Sequence, residues 1–344
     1  MRCLPRFSME SRQRNKKTIR ISATLFAAVL VTAAMSVCLG PVMISLPEIG
    51  PVLLGRDTDS VAARIILFSR LPRTCGCLLA GAALAVSGAV IQSVLENPLA
   101  APNVIGVNTG AGLAVAICCA AAPGIFWITP IAAFVGALAG VLLVLLIGER
   151  TGASRLTLVL AGIAVSAVFS GAVDLILAFV PEALSAYSDF RIGGFSGITM
   201  RKVAPAAAVI GAAFGAVLSL TPQMDILALG TDTARSLGLR ARPVRVALLA
   251  AAAALAGAAV SMAGLLGFVG LIVPHAARRV SNGDSLPLLV YSALGGAAFV
   301  TVCDLAARTV FSPYELPVGV VLSFLGGPFF LWLILRQKGG HRDA

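Results

Sequence analysis

Between Thr74 and Gly148 the chain carries a single charged residue, Glu96. A helix needs roughly 20 mostly apolar residues to cross the hydrocarbon of a bilayer, so this interval has room for three crossings. Glu96-Asn97-Pro98 and Ala122-Pro123-Gly124 divide it, and such residues mark places where a chain turns at the interface. The uncharged runs are far longer than barrel strands and lack their polar/apolar alternation. Lipid offers peptide groups no water, which leaves helices as the spanning structure. The fold class is therefore an all-α integral membrane protein.

The same rule places the other crossings. The spans are about 21–46, 74–95, 104–121, 128–147, 156–180, 203–220, 246–264, 265–277, 286–307 and 316–335. Ten spans put both termini on one side. Residues 1–20 read as a basic tail and 337–344 as a second short one, with the membrane domain over 21–336. Ile21 to Leu46 is too long for a signal-peptide core, and Ser36-Val37-Cys38 is a poor cleavage site, so the first span reads as uncleaved. Under this topology 18 of the 26 basic residues lie on the side of the termini, which makes that side cytoplasmic. The remaining eight include Arg56, Arg64, Arg70 and Arg73 ahead of the second span and Arg308 at the end of the ninth.

Composition narrows the chemistry. Charged residues make up 12% of the chain, against about 25% in soluble domains. Glycine recurs at spacing four in Gly106/Gly110, Gly136/Gly140 and Gly211/Gly215, which predicts close helix packing. Two histidines and cysteines without a paired CxxC framework argue against a metal centre or a structural disulfide. No catalytic cluster, cofactor motif or nucleic-acid signature is present. No lysine stands in a Gly-x-x-x-x-Gly-Lys-Ser/Thr setting, so ATP hydrolysis would have to come from another chain.

Several motifs, in order and over nearly the whole length, carry a family likeness. They are Arg70-Leu71-Pro72-Arg73, Gly81-Ala82-Ala83-Leu84 with Ser87-Gly88 and Gln92, Asn97-Pro98-Leu99-Ala100, and Gly106-Val107-Asn108. Further on stand Leu229-Gly230 with Ala234, Ser236, Leu237 and Gly238, then Gly267-Phe268-Val269-Gly270 with Pro274-His275 and Arg278. Asp304 with Arg308, Glu315-Leu316-Pro317-Val318-Gly319 and Gly326-Gly327-Pro328 complete the set. The chain resembles the FecCD-type permease subunits of type II ABC importers, which serve iron–siderophore, haem and cobalamin uptake. It departs from the usual pattern at Phe190 with Gly193-Gly194, where a Trp and a Gly-Ser pair are common, and at Gly283-Asp284-Ser285-Leu286.

The resemblance implies ten helices per subunit, a second permease subunit, two cytoplasmic ATPase subunits and an external substrate-binding (lipo)protein, in the inner (cytoplasmic) membrane. It implies that Arg70, Arg73 and Arg308 meet acids of the binding protein, a role that rim charges suit. Arg308 has a competing role as an i,i+4 partner of Asp304. The resemblance also places the ATPase-coupling loop at 221–245, with Leu229, Gly230, Ala234, Arg235, Ser236, Leu237 and Gly238 at its centre. Gln92, Asn97, Pro98, Asn108, Gly267, Gly270, Pro274, His275 and Asp304 are pathway or structural candidates. His275 reads first as a packing residue. Asp174 lies inside a span and should face a cavity or a partner. The leading cargo is a ferric siderophore, with haem or cobalamin as alternatives. A secondary transporter driven by an ion gradient is the rival class, with Asp174 and Asp304 as its only obvious ionisable groups.

Overall fold

A computed structural model describes residues 4–339 except 43, 126, 151–154 and 282, and every regular element in it is helical. In chain order the helices are α1 (Leu4–Cys38), α2 (Leu46–Leu53), α3 (Val61–Ile65), α4 (Leu71–Val94), α5 (Val107–Ala121) and α6 (Thr129–Arg150). There follow α7 (Arg155–Phe179), α8 (Ala183–Ile192), α9 (Met200–Ser219), α10 (Thr221–Ala228) and α11 (Thr231–Ser236). The last are α12 (Ala241–Ala263), α13 (Val269–Arg278), α14 (Ser285–Thr309) and α15 (Val318–Gly339). Seven helical stretches among the described residues are long and apolar enough to cross a membrane, and α5 and the 318–333 part of α15 are shorter apolar helices. The ten-residue α13 occupies the place of the eighth expected span but is too short to cross a bilayer alone, so the count of ten is matched only roughly.

Three boundaries differ from the sequence reading. The basic segment read as a tail is helical from Leu4 onward and runs straight into the first crossing. The second crossing begins well before Thr74: α3 passes through a π-helical turn at Ile66–Arg70 into α4, giving one apolar stretch over Val61–Val94. Arg70 does not interrupt it, because backbone carbonyls of the preceding segment take up its guanidinium, and Arg64 is exposed. The loop read over 221–245 contains two short helices and the start of α12. Most of the polar turn after Arg150, and the last five residues, lie outside the described residues.

Local chemistry explains where the helices stop. α4 ends at Glu96, whose φ of 45° is left-handed, and the Asn97 carboxamide oxygen then accepts the Leu99 amide at 2.9 Å. That is an Asx turn, which competes well with continued helix. Gly264, with φ 71°, closes α12.

α4 is the axis of the bundle. Most of its residues are buried, whereas few of those in the apolar part of α1 are. It packs most extensively on α14 and α12 and also touches α13. Glycine permits this closeness. A methyl group built on Gly88 would lie 1.9 Å from the Gly270 carbonyl oxygen, and one on Gly81 2.2 Å from that of Gly296. The two spaced pairs of α5 and α6 also face one another: a methyl on Gly110 would meet the Gly136 oxygen at 2.3 Å. Gly211 and Gly215 on α9 meet nothing within 4 Å. Among the described residues the close packing expected of that pair is absent, because their side of α9 is exposed.

Candidate functional site

Successive crossings bring the start of α4, the end of α14, α8 and the start of α15 to one end of the bundle, here the α8 end. α10 and α11 lie at the opposite end.

At the α8 end three arginines and two acids form one cluster. Arg73 Nε donates to both Asp304 carboxylate oxygens at 3.1 and 3.0 Å, and its Nη2 donates to Oδ1 at 3.1 Å. Its Nη1 reaches Glu315 Oε2 at 2.7 Å. Arg308, one helical turn beyond Asp304, lies 3.6 Å from the same carboxylate through Nε. Its Nη2 donates to the Ser36 carbonyl at 2.6 Å and to the Ser36 hydroxyl at 2.7 Å. Arg70 donates to the carbonyls of Val37, Cys38 and Val42. The cluster thus joins α1, α4, α14 and the loop before α15.

Burial makes this arrangement obligatory. Arg70, Arg73, Asp304 and Arg308 are 3%, 8%, 1% and 2% exposed, and a buried charge persists only when paired and hydrogen-bonded. Only the Glu315 side chain, 35% exposed, opens to solvent. In this conformation the three guanidinium groups, read from the sequence as rim charges, face inward. Turning Arg73 and Arg308 out to the rim would strip Asp304 of its partners. The i,i+4 contact of Arg308 with Asp304, the competing reading, is present.

Beside the cluster a cavity of about 410 Å³ is bounded by Arg73 and Glu315 on one side and by Asp189, Phe195 and Ser196 on the other. A second, of about 540 Å³, lies across the Asp189–Ser196 segment and reaches Cys118, Glu182 and Ser261. Three backbone segments are stitched together between them. Gly194 N donates to Ala263 O at 2.7 Å, Leu265 N to Phe190 O at 3.0 Å, and Gly319 N to Gly193 O at 3.2 Å. A methyl on Gly319 would lie 1.9 Å from the Ile192 oxygen.

Deeper along α4, Gln92 Nε2 donates to Gly270 O at 3.1 Å, and Arg278 Nη2 donates to the Ser93 hydroxyl at 2.8 Å. Pro274 is buried within α13, and Asn108 is half-buried in the first turn of α5. The His275 ring packs edge-on to Phe329 at 5.9 Å, with Nε2 3.2 Å from Arg279 Nη2. Gly267 has open space around it, and Pro98 follows Asn97 in the turn. Asp174 is exposed on α7.

At the opposite end, α10 is anchored by Asp225, whose carboxylate accepts the Ser285 amide at 3.0 Å at the start of α14. Ala234 is fully buried, whereas Leu229 and Leu237 are each 62% exposed. Left-handed φ values at Gly230 and Gly238, 101° and 81°, bracket α11. Arg235 is exposed on it.

Sequence reasoning missed Ser36, Ser93 and Asp225, and gave Glu315 no role. Nothing local marks the two serines or Asp225. Glu315 stood in a family motif, which was the available signal.

The bundle thus carries cavities at one end and, at the other, two short helices with exposed leucines. The chain belongs to the FecCD transport family, which it matches over residues 28–336, and that family comprises permeases of type II ABC importers. Permeases of this kind work with a second permease, separate ATPase subunits and a binding protein.

Among particular relatives, the Fe(3+)-citrate import system permease protein YfmE of Bacillus subtilis (strain 168) is 33% identical, covering 95% of this chain and 98% of its own. The vitamin B12 import system permease protein BtuC of Escherichia coli O127:H6 is 36% identical over the same shares. A solved structure described as an inward-facing conformation of a putative metal-chelate type ABC transporter superposes with a TM-score of 0.82 at 26% identity, covering 92% of this chain and 99% of that one. The two acids on which the gradient-driven alternative rested are not brought together. Asp304 is held by Arg73 and sits beside Arg308, and Asp174 is exposed on α7.

Proposed function

We propose that this chain is the permease subunit of an ATP-driven importer that moves a ferric siderophore, handed over by an external binding protein, across the inner membrane. The likeness to a ferric-citrate permease along nearly the whole of both chains carries the cargo reading. The α8 end faces outward and both termini are cytoplasmic, in keeping with the excess of basic residues on the side of the termini. Cargo enters past the cavity beside Arg73 and Glu315. Docking falls to the surface around Arg70, Arg73 and Arg308. Of their internal bonds, the one from Arg73 to Glu315 is open to competition from an incoming carboxylate, because Glu315 is partly solvated.

Coupling falls to Leu229–Gly238. Its two exposed leucines lie on short helices at the end away from the cavities, as a surface that seats in an ATPase subunit would require. A second permease subunit, identical or different, completes the pathway. The near-equal likeness to a vitamin B12 permease supports cobalamin as a second reading, with haem the further alternative within the family.

The test is uptake of radiolabelled ferric siderophores, haem and cobalamin by cells with and without the gene. Loss of one ferric chelate alone is the expected result. Loss of cobalamin or haem uptake would replace the cargo, and uptake that survives deletion of the ATPase gene would overturn the ABC reading.

A further inference from the structure

A crevice of about 520 Å³ opens at the α8 end between α6, α9 and α12, separate from the charge cluster. Ile131, Phe134 and Val209 line its walls, Trp127 stands at one edge, and Arg201 and Lys202 stand at another. Trp127 is 71% and Ile131 57% exposed. Tryptophan on a membrane-spanning surface settles at headgroup level, so the crevice runs from that level into the acyl-chain region. Arg201 and Lys202 are both exposed, and neither forms an ion pair with another described residue. The first turn of α9, which they occupy, holds no acid. Two adjacent cations there repel each other and the helix dipole.

We propose that this crevice binds one anionic phospholipid, its phosphate between Arg201 and Lys202 and an acyl chain along Phe134, Ile131 and Val209. The occupant must be apolar over most of its length and negative at one end, at the height of the membrane surface. A diacyl lipid of net negative charge has that distribution. Lys202 also borders the cavity that holds Glu182 and Asp189, but it forms no ion pair with either, and a zwitterionic lipid would bring no net charge to the cationic pair. The inference is independent of the cargo.

The test uses the fluorescence of Trp127 in the purified full chain carrying Trp332→Phe, which removes the other of the two tryptophans. The protein is placed in bilayers containing brominated phosphatidylglycerol or brominated phosphatidylcholine. One basic residue near a membrane surface is worth about a fivefold preference for anionic lipid. Half-quenching is therefore expected at a mole fraction of phosphatidylglycerol about fivefold or more below that of phosphatidylcholine. Arg201→Gln with Lys202→Gln should abolish the preference, and Arg201→Lys with Lys202→Arg, which controls for folding, should keep it. Equal quenching by the two lipids, or a preference that survives the glutamine pair, would overturn the proposal. So would protection of Trp127 from both lipids, which would mean that protein covers the crevice.

Discussion

α4 and α9 are both glycine-containing helices of crossing length, yet the chain uses them in opposite ways. α4 is mostly buried, and methyl groups on Gly81 and Gly88 would run into carbonyl oxygens of α14 and α13. α9 is mostly exposed, and methyl groups on Gly211 and Gly215 would meet nothing within 4 Å among the described residues. The charges divide in the same way. Arg73, at the start of α4, is consumed by two acids, whereas Arg201 and Lys202, at the start of α9, have no acidic partner among the described residues. Small-residue spacing therefore signals that a helix can be approached closely. What approaches it is decided by the rest of the chain, or by another molecule.

Substitutions can break this contrast. The largest effect is expected of Asp304→Asn, which leaves Arg73 and Arg308 buried beside a neutral group. Breaking a buried ion pair costs about 3–5 kcal/mol, so the purified protein should show a large fall in thermal midpoint and in folded yield. Gly88→Ala comes next. Its methyl group cannot fit 1.9 Å from the Gly270 oxygen, and overpacking of this kind costs about 1–3 kcal/mol. A midpoint unchanged by Gly88→Ala would show that α4 and α13 can separate freely.

Leu229→Ala with Leu237→Ala should leave the midpoint nearly unchanged, within about 0.5 kcal/mol, as exposed sites do. The pair should weaken pull-down of the ATPase subunit about fivefold or more if these leucines are interface anchors. Smaller still is Glu315→Gln, which removes a half-exposed partner worth about 0–1 kcal/mol. Gly211→Ala should be neutral or stabilising by up to about 1 kcal/mol, from helix propensity alone. A strong loss of uptake in Gly211→Ala with an unchanged midpoint would place a second subunit against α9.

Much of the fold was legible because the bilayer imposes a simple rule. Uncharged length gave the crossings, and Glu96-Asn97-Pro98 gave one of the stops. The Asp304–Arg308 contact was legible too, since a spacing of four on a helix is local information. The bond from Arg73 to Asp304 was not, because 231 residues separate them. Nor was the inward turn of Arg70, whose partners are backbone carbonyls that any residue could supply. The three spaced glycine pairs look alike in sequence. Two of them face each other, and the third faces away from the bundle, a difference written only in the tertiary packing.

The long separation within the charge cluster has a consequence for how the protein is made. Ribosomes add about 5–20 residues per second, so Arg73 emerges on the order of ten to fifty seconds before Asp304 exists. During that interval its guanidinium has no carboxylate from this cluster, and the arrival of α14 supplies one. The cluster therefore acts as a clasp that closes only once α14 has been made, and a chain cut short before Asp304 would leave Arg73 without that carboxylate.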